Sequence, residues 1–118
     1  MDARRFSLAA GYMTLNRASR IREVAEALGL ERDEVKLLKE YVRDMGRLLP
    51  TLQYVLERRG LWLDERMFAA GLLLHRAPPA ALRRVLEGED PMEVLESLQL
   101  EPPGKVSMAL RWLFLKLL

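Results

Sequence analysis

Between residues 17 and 43 the chain sets seven cations at spacings suited to gripping a phosphate backbone: Arg17, Arg20 and Arg22, then Arg32, Lys36, Lys39 and Arg43. Lys36, Lys39 and Arg43 recur at three- and four-residue intervals, so a helix carries them along one face. Guanidinium and ammonium groups in such a row contact phosphate oxygens and position a duplex without reading its bases. Glu23, Glu26, Glu34 and Glu40 are interleaved with them and offer a second reading, in which the cations form ion pairs on solvated helix faces. Glu31 and Asp33 stand where a helix would begin. There a carboxylate is stabilised by the positive end of the helix dipole.

Other chemistry finds little support. His75 is the only histidine and cysteine is absent, which removes most metal sites, every imidazole-dependent triad and any thiolate nucleophile. Glu87, Glu89, Asp90 and Glu93 could gather a divalent cation, but their spacing is not that of a calcium loop. Asp90, Pro91 and Glu93 instead have the form of a helix start: a cap, a first-turn proline and a carboxylate at the third position. Neither GxxxxGK(S/T) nor GxGxxG occurs. The expectation is a protein that acts by binding, not catalysis, with no cofactor and no metal.

The elements that must position these residues are helical from end to end. Leu, Ala, Glu, Arg and Met dominate, and no stretch alternates apolar and polar residues with β-branched enrichment. We read an all-α fold, a single bundle of seven to eight short helices over residues 1–118. A first helix is expected over about residues 3–15, with Phe6, Ala9, Ala10 and Met13 on its inner side. Asn16 and Ser19 can cap a second helix starting near Arg20. A third, over about residues 32–45, presents Val35, Leu38, Tyr41, Val42 and Met45 to the core. Further helices follow over residues 48–60, 65–76 (capped by Asp64), 80–88 and 91–100, with a last one over 105–118. Residues 1–46 form one part and residues 47–118 a second, regulatory or oligomerising part.

Within residues 21–38 the small and apolar positions are arranged for two helices joined by a tight turn. Ala25 allows a close crossing, Gly29 supplies the turn, and Val24, Leu28, Leu30, Val35 and Leu38 close a small core. This spacing resembles the helix-turn-helix of bacterial transcription regulators. The resemblance implies DNA as partner and places Glu31, Arg32, Asp33, Lys36 and Leu37 toward a major groove. The pattern has an internal echo: EVAEALGLE at 23–31 matches EVLESLQLE at 93–101 in six of nine positions, with Gln99 where the first copy has Gly29.

Residues 59–76 are similar to the histidine-bearing segment of the PRD regulatory domains of bacterial antiterminators, through Gly60, Leu63, Asp64 and His75. That similarity implies a helical regulatory fold with His75 as a phosphorylation site. The other reading of His75 is a residue at a helix end that caps or packs. The last helix, VSMALRWLFLKLL, is apolar almost all round. It serves either as a core helix or, through Trp112, Leu113, Phe114, Leu117 and Leu118, as an interface for a protein partner or a second copy. Its thirteen residues fall short of the roughly 20 that a membrane-spanning helix needs.

The net charge of +2 hides a block pattern: residues 1–22 carry +4, 23–46 carry −3, 47–84 carry +4, 85–104 carry −6 and 105–118 carry +3. The excess of arginine over lysine, 15 to 4, reads as coding bias. Lack of cysteine and of a signal-peptide pattern points to a cytoplasmic setting. The alternative to a DNA-binding regulator is a helical adaptor or subunit of a larger assembly, in which the hairpin is scaffold and the C-terminal apolar surface is the site.

Overall fold

Every residue from Phe6 to Met13 is buried, polar and apolar alike, and this makes the first helix the axis around which the others gather. The computed structural model describes residues 1–102 and Gly104; the expected helix over 105–118 and its interface residues lie outside the described residues. Helix α1 spans Ala3–Thr14 and starts from Asp2, whose carboxylate accepts the N–H groups of Arg4 and Arg5. A 3-10 turn over Ala18–Arg20 leads into α2, Ile21–Leu28, and then α3, Arg32–Arg43. The remaining helices are α4, Leu49–Arg58; α5, Glu65–Leu73; α6, Ala81–Leu86; and α7, Pro91–Ser97. No strand is present among the described residues, so the all-α expectation is met.

The sequence suggested one inner side for α1; burial on all sides needs a different neighbour arrangement. Helix α5 supplies it by approaching so closely that the two backbones touch. A Cβ placed on Gly11 would stand 2.0 Å from the Phe68 carbonyl oxygen, and one on Gly71 would stand 2.3 Å from that of Leu8 and 2.5 Å from the Tyr12 nitrogen. With α5 this close, α2, α3 and α6 pack on the remaining surface of α1. Leu49, Leu52 and Leu56 of α4 and Val94 and Leu95 of α7 complete the core.

Hydrogen bonds tie the polar groups along the α1–α5 seam, whereas Oε2 of the buried Glu34 has no hydrogen-bond partner among the described residues. Ser7 Oγ accepts the Asp64 N–H at 2.9 Å, tying α1 to the start of α5, where Asp64 also caps Met67 as its position predicts. Asn16 was expected to cap α2. Instead its amide donates to the carbonyls of Tyr12 at 2.8 Å and His75 at 2.9 Å, joining the last turn of α1 to the end of α5. Ser19 caps nothing either, because the 3-10 turn occupies the approach to α2, whose N-cap position falls on Arg20.

The echo between residues 23–31 and 93–101 extends to the backbone. Gly29 has φ 64° and the Leu30 N–H returns to the Ala25 carbonyl; Gln99 has φ 55° and the Leu100 N–H returns to that of Leu95. Both helices therefore end in the same left-handed cap, one of them without glycine.

In an exposed helix, replacing glycine by alanine stabilises by about 1 kcal/mol. At Gly11 and Gly71 the sign should reverse. Gly11→Ala and Gly71→Ala should each cost about 2–4 kcal/mol in urea unfolding. A gain in stability from either variant would show that α1 and α5 stand farther apart than described.

Candidate nucleic-acid interface

The hairpin expected from residues 21–38 is formed by α2 and α3, and its turn is built as the small residues require. Gly29 takes the left-handed conformation and closes the end of α2 onto the Ala25 carbonyl. The carbonyls left free at that end are taken by arginines from outside the hairpin: Arg83 Nε donates to Ala27 at 3.0 Å and Arg5 Nη1 to Gly29 at 3.0 Å. A cation at a helix C-terminus also complements the dipole.

Arg5 has a second task that sequence reasoning did not single out. Its Nη2 lies 3.8 Å from Oε1 of Glu34, whose side chain is fully buried at the start of α3. Glu34 was expected on a solvated face; it faces α1 because it falls on the same side of α3 as Leu38 and Tyr41. Its Oε1 also accepts the Glu31 N–H at 3.1 Å, while Asp33 Oδ1 accepts the Glu34 N–H at 2.9 Å. Oxygens of Glu31, Asp33 and Glu34 come within 4.8 Å of one another. The bonds of Glu34 and Asp33 to the first backbone N–H groups of α3 account for this cluster as a helix start.

Turning α3 so that Glu34 faces inward also corrects Leu37. It was expected at the groove, yet it is 1% exposed and belongs to the core with Leu38, Tyr41 and Val42, while Val35 and Met45 are half-buried. The cations emerge on the opposite side. Arg32, Lys36, Lys39 and Arg43, at i, i+4, i+7 and i+11, are all exposed and form one row along the outer face of α3. None of the four makes an ion pair with a described residue; the only pair between the cations and acids weighed above is Arg22 with Glu26, at 3.5 Å and fully in solvent.

Arg17, Arg20 and Arg22, around the start of α2, divide in use. Arg17 is exposed at the start of the 3-10 turn, and Arg22 is exposed on α2. Arg20, though exposed, donates through Nη1 to the Tyr12 hydroxyl at 3.1 Å, and that hydroxyl donates to the Ala77 carbonyl at 2.7 Å. Beside the α3 row, between α2 and α3, runs an open groove of about 540 Å³. Ile21, Ala25, Leu30 and Val35 form its floor, and Arg22, Lys39 and Arg43 stand on its rim.

Other predicted sites resolve differently. His75 lies one residue past the cap of α5, half-buried, with Nδ1 donating to the Leu72 carbonyl at 3.1 Å. This is the capping arrangement, with the Asn16 amide on its own carbonyl. Glu89 pairs with Arg84 at 2.8 Å and Asp90 caps Met92, so two of the four acids weighed as cation ligands already have structural partners. Trp62 is 72% exposed in the α4–α5 connection. No helix among the described residues is long and apolar enough to cross a membrane. Comparison with protein-family models, with characterised proteins and with solved structures yields no significant match for the chain.

Two buried phenols, Tyr12 and Tyr41, give the stability of the fold a pH dependence. The Thr14 hydroxyl donates to the Ala10 carbonyl at 2.7 Å and receives the Tyr41 hydroxyl at 2.7 Å. Burial raises the pKa of Tyr12 and of Tyr41 above the ordinary 10.0, outweighing the bond and charge of Arg20 at Tyr12 and the charge of Arg47 at Tyr41, which act the other way. The folded state thus holds these protons more tightly than the unfolded chain. Their contribution is complete below pH 10 and is lost as pH climbs through the higher folded values. Urea unfolding between about pH 8 and about pH 11 should show stability falling at the alkaline end. Tyr41→Phe should lose about 1 kcal/mol at neutral pH and fall less steeply. An identical alkaline slope in that variant would remove the phenol as its cause.

Proposed function

We propose that the chain is a non-enzymatic regulatory protein that binds DNA through the outer face of its helix-turn-helix-like hairpin. The observation that carries this reading is the row Arg32, Lys36, Lys39 and Arg43, exposed along α3 with no ion pair to a described residue. Four exposed cations on one helix face, with Arg17 before the 3-10 turn and Arg22 on α2, suit a run of phosphate oxygens. Glu31 and Asp33 sit at the start of α3, so the helix meets the duplex along its flank, from Arg32 to Arg43, and not end-on. The row has no exposed Asn or Gln to read adenine, and contacts of this kind favour affinity over sequence discrimination.

The reading is checked by fluorescence anisotropy with a short labelled duplex over a series of salt concentrations. Binding should weaken steeply with salt, and the double variant Lys36→Ala/Lys39→Ala should reduce the slope of log K against log salt by about 2. Arg32→Glu with Lys36→Glu should abolish binding. If the protein shifts no DNA at low salt, or if these variants bind as the parent does, the proposal fails.

A further inference from the structure

The groove between α2 and α3 is more than a by-product of the cationic row, because its floor is the wrong chemistry for a nucleic acid. Ile21 is buried and Ala25, Leu30 and Val35 are half-buried, leaving an aliphatic strip with no aromatic ring for a base to stack on. On the α2 side Ile21 and Ala25 lie between Ala18 of the 3-10 turn and the cap residue Gly29, and the three small residues leave room for a neighbour to approach closely. A third helix could settle there near the short end of the 8–10 Å packing range. The α3 rim is cationic, and the α2 rim carries Arg22 beside one carboxylate, Glu26. Lys39 and Arg43 on α3 are unpaired among the described residues, and Arg22 on α2 holds Glu26 only through a solvent-exposed contact at 3.5 Å. Such a contact is worth little and is readily exchanged.

We propose that this groove receives an amphipathic helix of a partner protein, one whose apolar stripe is flanked by carboxylates. The stripe covers the aliphatic floor, and the flanking acids reach Arg22 on one rim and Lys39 and Arg43 on the other. Charge complementarity selects this occupant: the rim sets three cations against the single carboxylate of Glu26, so a basic helix is repelled and a neutral one leaves the excess unanswered. A helix spans both rims at once, whereas a small amphiphile in so open a groove leaves much of its chain in water. Since Lys39 and Arg43 also belong to the proposed DNA-binding row, the partner and the duplex exclude each other; this last step alone rests on the DNA-binding reading.

The test uses the full chain and a fluorescein-labelled synthetic helix of about 15 residues, with leucine at i, i+3, i+4 and i+7 and glutamate on both flanks. Its counterpart carries lysine for every glutamate, and decanoate serves as a small-amphiphile competitor. The glutamate peptide should bind saturably and the lysine peptide should not. Lys39→Glu/Arg43→Glu should weaken binding about tenfold or more. Ala25→Leu, which fills the floor, should abolish it with the helical circular dichroism unchanged; the exposed single variant Arg43→Glu provides a check that does not touch packing. Absence of binding, equal binding of both peptides, indifference to the rim variants, or displacement by decanoate would each overturn the assignment. Peptide binding without any DNA binding would leave the groove standing and remove the DNA reading. DNA binding that the bound glutamate peptide fails to displace would overturn the exclusion.

Discussion

The backbone contact between α1 and α5 sets the geometry of everything else. Gly11 and Gly71 let two helices meet with no side chain between them, and no other residue type fits where a Cβ would stand about 2 Å from a carbonyl oxygen. Because the two helices are this close, their C-terminal ends arrive side by side. Asn16 can then bridge Tyr12 and His75, and the Tyr12 hydroxyl can reach Ala77 beyond the end of α5. The opposite surface of α1 is left to α2 and α3. The hairpin is thus mounted on a helix whose own position is fixed by backbone, not by adjustable side chains.

Arginine does much of the joining. Arg5 and Arg83 take the carbonyls at the end of α2, and Arg47, itself at φ 61°, donates through Nη1 to Met13 at 2.9 Å and Thr14 at 3.1 Å at the end of α1. The strain of a left-handed arginine at position 47 is offset by two bonds to carbonyls that no helical N–H can reach. A planar guanidinium with several donors suits such bridging better than an ammonium. The predominance of arginine, read from composition as coding bias, therefore has structural uses at these three positions. It also explains why net charge is a poor guide here: a guanidinium that is committed to backbone carbonyls is less available to a phosphate.

Local signals were legible. Asp64 and Asp90 cap their helices, Pro50 and Pro91 lie in first turns, and Gly29 closes α2, because each of these roles is decided by a residue and its nearest neighbours. What depended on distant partners was not. Leu37 could be assigned to either face of α3 until the direction of α1 was known, and Glu34 gave no sign of burial because its partner Arg5 lies 29 residues away. Gly11 and Gly71 sit in sequences that read as ordinary helix, and only their juxtaposition gives them meaning. The echo at residues 93–101 was weakened in sequence by Gln99, yet the backbone treats Gln99 as it treats Gly29. The hydrogen bond from Leu100 to Leu95, not residue identity, sets that conformation.

The acids at the start of α3 are the point on which a DNA-binding reading turns. In sequence Glu31 and Asp33 occupy positions where donors to bases or phosphates would be expected. In the fold, Asp33 and buried Glu34 accept backbone N–H groups of the first turn and its cap, so their charge is answered by the helix itself. Their presence excludes an end-on approach, since carboxylates advanced into a groove would meet phosphates on both walls. It leaves a side-on approach open, because the row from Lys36 to Arg43 begins a full turn farther along and faces away from Glu34. A helix that presents its flank and withholds its tip is also one that keeps the neighbouring groove accessible. On the two proposals, the orientation of α3 that would make it a modest reader of sequence also leaves the α2–α3 surface open to a protein, and the two proposed uses meet at Lys39 and Arg43.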